Sequence, residues 1–329
     1  MNFAAPLAAF LTALVVTPLI RRLNILDLPN DRSSHAQPTP RSGGIAIVAG
    51  IVAGIAVAGQ MSAMATIVIV ALVIAAVGLW DDVRGSSAAL RLVLQLVAAF
   101  VVALFAGVVL ETIESFPLAW AAVPVTVFWI VGVTNAYNFM DGVNGIASVE
   151  AIVCGVVLAV LFDGRGDAAG VALALAIAAS AAGFLPWNFP KARIFMGDVS
   201  SGTLGFLIAV LVIRYATDGG SVIAAALPLL PFLADTAITL VRRAIRRERI
   251  MSAHRSHFYQ RFNALVWSHT AVTSLWGVLA LVSGGVAIAY ESAGATLRLV
   301  LLAAVVLVHV ATAVAIMLAE GRRRATPTR

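Results

Sequence analysis

Three aspartates carry the first chemical signal. Asp81 and Asp82 stand where a long apolar run stops, and Asp198 closes Phe195-Met-Gly-Asp at the edge of another. Carboxylates are costly beside hydrocarbon, so acidic side chains at such borders point to a metal-dependent site facing one compartment, and hence to an enzyme. An adjacent pair can hold a magnesium ion or position a phosphate nucleophile, and Gly85 lets the chain turn sharply after it. A polar helix stop paired with Arg84 would also account for the pair. Asn135, Asn138 and Asp141 recur every three residues, which puts them on one face if the preceding helix continues. Amides and a carboxylate there can read a base or sugar edge and share a cation, with Gly142 and Gly145 allowing close approach. A helix end followed by a glycine turn explains one Asn and one Gly, but not four polar residues with Asn144 as the fourth.

Phe195-Met-Gly-Asp-Val-Ser-Ser-Gly202 reads as a loop entering a helix. Asp198 is expected to cap that helix, with Ser200, Ser201 and their backbone N–H groups facing an anion. His254 and His257 flank Arg255, a trio suited to a diphosphate and to proton handling near neutral pH. The neighbouring Arg242, Arg243, Arg246, Arg247 and Arg249 are explained by anchoring on anionic lipid headgroups. His269 and His309 lack such company and read as membrane histidines with satisfied hydrogen bonds. Asp235 leaves two readings open: support of the site from behind, or a hydrogen bond to a neighbouring helix.

The elements that must position these groups follow from composition. Of 329 residues, 61% are hydrophobic and 12% charged, with mean hydropathy +0.99. A water-soluble domain holds about half apolar and about a quarter charged residues, so this is an all-α polytopic membrane protein. Apolar stretches of bilayer-spanning length (roughly 17 to 25 residues, a few shorter) run from Phe3 to Ile20, Gly44 to Gly59, Ser62 to Trp80, Ala88 to Val109, Ala119 to Asn135, Ile146 to Phe162, Ala168 to Pro186, Ser200 to Tyr215, Ser221 to Val241, Ser268 to Tyr290 and Ala295 to Leu318. That predicts about eleven transmembrane helices, the second short and the ninth kinked by Pro228 and Pro231. Cys154 has no partner cysteine, which excludes a disulfide framework or thiolate cluster.

The charge of +6 and pI near 10.4 would suggest nucleic acid in a soluble domain, but here they report topology. With the N-terminus outside and the C-terminus inside, all of the 22 Lys and Arg except Arg165, Arg214 and Arg298 fall on the cytoplasmic side. No basic residue precedes the first span and Arg21-Arg22 follow it, which favours a retained anchor over a signal peptide. The same assignment places all the polar motifs on the cytoplasmic face. A transporter would put its polar groups near the midplane, between broken helices. Motifs of the form GxxxxGK[ST], HExxH and GxSxG are absent, which removes ATPase, zincin and serine-hydrolase readings. The acidic signature of CDP-alcohol phosphotransferases is also missing. A lipid-linked-sugar flippase is the rival from another class.

The motifs carry a resemblance. Asp27-x-Pro-x-x-Arg-x-x-His35 with Pro38-Thr-Pro-Arg-x-Gly-Gly44, then Asp81-Asp82, Asn135-x-x-Asn-x-x-Asp-Gly-x-x-Gly145, Asn188-x-Pro190 leading to Phe195-Met-Gly-Asp198, and the loop histidine His257 occur in the order found in the polyprenyl-phosphate N-acetylhexosamine-1-phosphate transferases. That superfamily (glycosyltransferase 4) includes the MraY translocases and the WecA-type enzymes. The match spans about Asp27 to Arg261. Two departures stand out: relatives often have Asp-Gly-x-Asp-Gly where Asn144 stands here, and His-x-His-His where this chain has His257-Phe-Tyr-Gln260. The His-Arg-Ser-His-x-Tyr-Gln form resembles the branch that starts O-antigen or capsule chains.

The resemblance implies one membrane transferase domain over residues 1–329, with a basic, histidine-containing cytoplasmic loop over 242–263. It implies transfer of a HexNAc 1-phosphate, N-acetylglucosamine or a related or 6-deoxy sugar, from a UDP-sugar to undecaprenyl phosphate with release of UMP. Magnesium is the implied cofactor, with manganese able to substitute, and the setting is the bacterial inner membrane. The implied partners are the two substrates and membrane lipid, without nucleic acid, and a homodimer is compatible. By this analogy Asp198 ligates the metal with Asn138 a weaker candidate, Asp81 and Asp82 orient or deprotonate the lipid phosphate, and His257 acts beside the diphosphate with His254 and Arg255. Asn135, Asp141, Asn144 and Asn188 line the uridine and sugar pocket, and Arg41 and Asn138 are further substrate-binding residues. A phosphomonoester is largely dianionic near neutral pH, its second pKa being about 6, so direct attack needs little general-base help. Charge neutralisation and alignment then carry the rate.

Overall fold

A computed structural model describes residues 3–28, 37–113, 116–248 and 254–325. Residues 29–36 of the Asp27-to-His35 motif, together with Arg249 and Arg329, lie outside them. The helices are α1 (Ala4–Arg21), α2 (Gly44–Val57), α3 (Ala65–Arg84), α4 (Ala88–Phe105), α5 (Ala122–Met140), α6 (Ile146–Asp163), α7 (Ala168–Asn188), α8 (Asp198–Thr217), α9 (Val222–Ala226), α10 (Leu230–Ile245), α11 (Phe258–Val266), α12 (His269–Ser292) and α13 (Ala295–Ala325). Among the described residues strand content is confined to two antiparallel pairs of two-residue strands, β1 (Leu26–Asp27) with β2 (Thr39–Pro40) and β3 (Thr112–Ile113) with β4 (Phe116–Pro117). This is an all-α, multi-pass membrane architecture.

All eleven expected apolar segments form helix. Among the described residues ten are long and apolar enough to cross a membrane, while α2 has 14 residues. At about 1.5 Å per residue α2 rises only about 21 Å, short of a bilayer core about 30 Å thick. The ninth segment breaks as its prolines require: α9 gives way to a 3-10 turn, Leu227–Leu229, before α10 begins. Several ends differ from the expected ones in a consistent way. α3 runs through Asp81 and Asp82 to Arg84, α5 runs past Asn135 to Met140, and α8 begins at Asp198. Helical hydrogen bonding continues past the edge of the apolar run, so the polar motifs sit on rigid helix ends.

Helix α8 is the axis of the fold, with most of its side chains buried, and it packs against α3 and α5. Around it α1, α2 and α7 form one group, and α12 lies against α6. By contrast, α13 leaves most of its surface open, which for an apolar helix means contact with lipid. Helices pack closely in membranes where small residues line the contact. At Gly78 of α3 an added Cβ would collide with the Asp198 carbonyl at the start of α8.

Gly78→Val should therefore push α3 off α8. The expected outcome is a clearly lower thermal midpoint for the purified protein in detergent, with Gly132→Val, where a Cβ meets open space, as the matched control.

Candidate active site

Asp82 lies in the last turn of α3 with its side chain fully covered. Its Oδ1 accepts from the Arg41 guanidinium and from the Asp198 backbone N–H at 3.0 Å, and its Oδ2 accepts from Ser42 Oγ at 3.0 Å. A buried carboxylate persists only when paired and hydrogen-bonded, and this one is both. The same bonds fix the loop before α2 and the start of α8 to the end of α3. Backbone bonds from Phe195 to Pro40, Gly43 to Phe195 and Gly44 to Met196 reinforce the join. Gly197, the residue before α8, has φ 73°, and a Cβ there would strike the Asp82 carboxylate. Glycine is the residue suited to that conformation.

This arrangement corrects one expectation. Asp198 does not cap α8, since it is the first helical residue and gives its own N–H to Asp82. The cap comes from another helix, which frees the Asp198 carboxylate to face outward. Ser200 and Ser201 are both buried, and of the two only Ser201 lines the adjoining cleft.

Asp81 has a different environment. Ser86 Oγ donates to its Oδ1 at 2.6 Å and Arg91 to its Oδ2. The same Arg91 Nη1 donates to Asp198 Oδ2 at 2.8 Å, so one guanidinium nitrogen bridges two carboxylates. Asn138 Nδ2 donates to the other Asp198 oxygen at 3.1 Å and to Ser201 Oγ at 2.8 Å. Asn138 thus presents its amide nitrogen to Asp198 and orients it. In the sequence Arg91 served only as evidence of topology. Its position three turns of chain beyond the Asp81-Asp82 pair, on the helix that follows, was the available signal.

Two cavities meet here. A polar cleft of about 210 Å³ is lined by Asp27, Arg41, Asn138, Asp141, Asn144, Asn188, Asp198, Ser201, Gln260 and His269. A larger, mainly apolar groove of about 440 Å³ carries Arg91, Gln95, Asn135, Asn138, Asp198, His254, His257 and Gln260 among walls that include Ile74, Val77, Leu92 and Leu240. Asn138, Asp198 and Gln260 belong to both.

Of the remaining expected site residues, Asn188, Asn144, Asn135, His257 and His254 line one of the two cavities. Buried Asn188 accepts the Gly145 N–H at 2.6 Å and donates to the Ile194 carbonyl at 2.9 Å, joining two loops of the cleft. Asn144 donates to Pro190 O at 3.0 Å through its side chain and to His269 Nδ1 at 3.3 Å through its backbone. His269 is thus satisfied, as expected of it, yet it stands in the cleft wall. Asn135 Nδ2 donates to Gln95 Oε1 at 2.6 Å, placing it on the apolar groove and not in the polar cleft. His257 heads α11 at the groove, and its Nδ1 contacts Asp235 Oδ1 at 3.1 Å. His254 stacks on it with ring centroids 5.0 Å apart. Burial, with His257 and Arg243 nearby, lowers the His254 pKa to about 4, so the ring is neutral at pH 7. Arg255 is exposed and lines neither cavity.

Asp141, just past α5, faces the cleft with no side-chain hydrogen bond among the described residues. Burial, then the negative charges of Asp198 and Asp82, raise its pKa from 3.8 to about 7. The folded state therefore holds this proton more tightly than the unfolded chain, so ionising Asp141 costs stability as pH climbs from about 4 to about 7. Asp141→Asn removes that cost. Its thermal midpoint should match wild type near pH 4 and exceed it increasingly up to pH 7 to 8, whereas parallel curves would show that Asp141 has an ordinary pKa.

Arg41→Ala strands a buried carboxylate, a change that costs about 3–5 kcal/mol. Loss of stable protein is expected there, while Arg91→Ala, at a partly exposed pair, should leave the thermal midpoint within a few degrees.

Comparison with known proteins gives the same family by a separate route. The model of glycosyl transferase family 4 matches residues 64–216. A probable undecaprenyl-phosphate N-acetylglucosaminyl 1-phosphate transferase of Bacillus subtilis (strain 168) is 34% identical over 278 residues, covering 80% of this chain and 77% of the relative. A decaprenyl-phosphate N-acetylglucosaminephosphotransferase of Mycobacterium tuberculosis (strain H37Rv) is 28% identical over 357 aligned positions, covering 94% and 87%. A phospho-N-acetylmuramoyl-pentapeptide-transferase of Staphylococcus aureus (strain JH9) is 28% identical over 173 residues, about half of each chain. The Asp81-Asp82 pair, the Asn135-to-Gly145 motif and Asp198 all lie within the matched family region, and the chain belongs to glycosyl transferase family 4, in the superfamily of polyprenyl-phosphate N-acetylhexosamine-1-phosphate transferases.

Proposed function

We propose that the chain transfers N-acetylglucosamine 1-phosphate, or the 1-phosphate of a close N-acetylhexosamine, from a UDP-sugar to undecaprenyl phosphate, releasing UMP. It would do so at the cytoplasmic face of a bacterial inner membrane, as the first step of a cell-surface polysaccharide. The observation that carries the reading is the junction of a polar cleft with an apolar groove at Asp198 and Asn138. A water-soluble sugar nucleotide suits the first and a polyprenyl chain the second. The N-acetylglucosamine assignment draws on two relatives named for that sugar, each aligned with most of this chain.

The donor set fits a hard divalent cation, magnesium with manganese able to substitute. Asp81 and Asp198 both turn toward the single positive nitrogen of Arg91, a position where a cation would satisfy the same two carboxylates. Among the described residues no cluster of three His, Cys, Asp or Glu side chains could enclose a metal. That suits magnesium, which usually takes one or two carboxylates and completes its shell with water and substrate phosphates. Bound there, the ion would neutralise charge on the transferring phosphate. Asp81 and Asp198 would hold it.

The protein's own groups supply alignment. Arg91 offers a guanidinium on the groove side, where it would pair with the phosphate of the lipid. Asn138 fixes the rotamer of Asp198, and Arg41 lines the cleft on the donor side while remaining tied to Asp82. Asp82 has both oxygens engaged and would act by holding the site together. Nucleophile activation needs little help, because the attacking phosphate is already an anion.

Purified protein supplied with undecaprenyl phosphate, magnesium and UDP-N-acetylglucosamine should release UMP only when all three are present. UDP-N-acetylgalactosamine and the 6-deoxy sugars offered in parallel read out the donor preference, and a flippase would release none. Asp198→Asn should abolish release with the thermal midpoint retained. Arg91→Ala should raise KM for the lipid phosphate by about 10- to 100-fold, the scale of a lost charge-assisted hydrogen bond, with a smaller change in KM for the sugar nucleotide.

A further inference from the structure

Asp235 sits in α10 with its side chain 2% exposed, among apolar neighbours where a carboxylate must be fully hydrogen-bonded to persist. It accepts four bonds. Oδ2 takes the Tyr259 N–H at 2.9 Å, and Oδ1 takes the Phe258 N–H at 2.8 Å, His257 Nδ1 at 3.1 Å and Thr239 Oγ1 at 3.3 Å. The first two cap α11, whose opening N–H groups have no partner within their own helix. Capping does not require the bond to the imidazole.

That bond determines which nitrogen of His257 faces the groove. A carboxylate accepts, so Nδ1 carries the proton and Nε2 is left for whatever enters. The ring has little freedom to turn otherwise: His254 stacks against it, and Phe139 and Tyr259 stand at 6.3 Å and 5.9 Å between ring centroids. Because α11 and the imidazole hang from the same carboxylate, the helix cannot shift without re-aiming the ring.

We propose that Asp235 is a positioning residue for the transfer reaction: it fixes the tautomer and aim of His257 so that Nε2 meets a phosphoryl oxygen at the head of the groove. This rests on the function proposed above. A neutral ring presents a lone pair at that nitrogen and a protonated ring presents N–H, and a phosphate dianion selects the second. Either way the same atom faces the substrate.

Two measurements test it. Nitrogen-15 NMR of histidine-labelled wild type, with the resonance assigned by its loss in His257→Gln, should show His257 protonated at Nδ1. A ring protonated only at Nε2 would overturn the proposal without any variant at position 235. Kinetics of UMP release for Asp235→Asn, His257→Gln and the double variant give the second. Asp235→Asn should lower kcat about tenfold or more, with KM for the sugar nucleotide changed less than about twofold and the His257 signal shifted, and the double variant should be no slower than His257→Gln alone. Losses that multiply, or a drop in kcat with the His257 signal unmoved, would reduce Asp235 to a helix cap. If wild type releases no UMP, the function itself fails, while the tautomer still tests the pairing of Asp235 with His257.

Discussion

The site depends on one buried carboxylate. Asp82 draws Arg41 and Ser42, the end of α3 and the start of α8 to a single point, and these segments are separated by 40 to 116 residues of chain. No apolar contact could do this with the same directionality, because each oxygen demands donors at hydrogen-bonding distance and each unmet demand costs roughly 1–3 kcal/mol or more. Gly78 and Gly197 provide the room. Without a side chain at either place, α8 begins against α3 and not a residue's width away from it.

Asp82 gives up its own chemical freedom in doing so. Asp81 and Asp198 are less enclosed, since both share the partly exposed guanidinium of Arg91. Adjacent aspartates of identical chemistry therefore take different partners, Asp82 joining three segments of chain and Asp81 sharing Arg91 with Asp198, decided by which side of one helix turn each occupies. Asp235 repeats the pattern on the other side of the groove, where a single carboxylate holds both the start of α11 and the imidazole of His257.

The length of the apolar runs is enough to read the eleven expected segments as helical, though not the short amphipathic α11, since a bilayer leaves no other use for such runs. The break at Pro228 and Pro231 followed from proline's missing N–H. The motif residues were also legible, and Asn138, Asp141, Asn144, Asn188 and Asp198 do gather at one cleft. Partner identity was not legible. That Asp82 would cap α8 in place of Asp198, or that Asn135 would turn to Gln95, depends on where distant helices come to rest. Arg91 was hidden for another reason: an arginine after a membrane span has a sufficient explanation in topology. His269 looked alone because its neighbours, Asn144 and the cleft, arrive from more than 120 residues away.

The cleft and the groove differ in polarity yet share a threshold of only three side chains, Asn138, Asp198 and Gln260. On the proposed function the sugar nucleotide would occupy the polar cleft and the polyprenyl chain the apolar groove. For chemical intervention this favours tethered compounds, a nucleoside-like head joined through a short polar linker to an aliphatic tail. Such a molecule would gain from both chambers at once, and the width of that threshold would set the length of its linker.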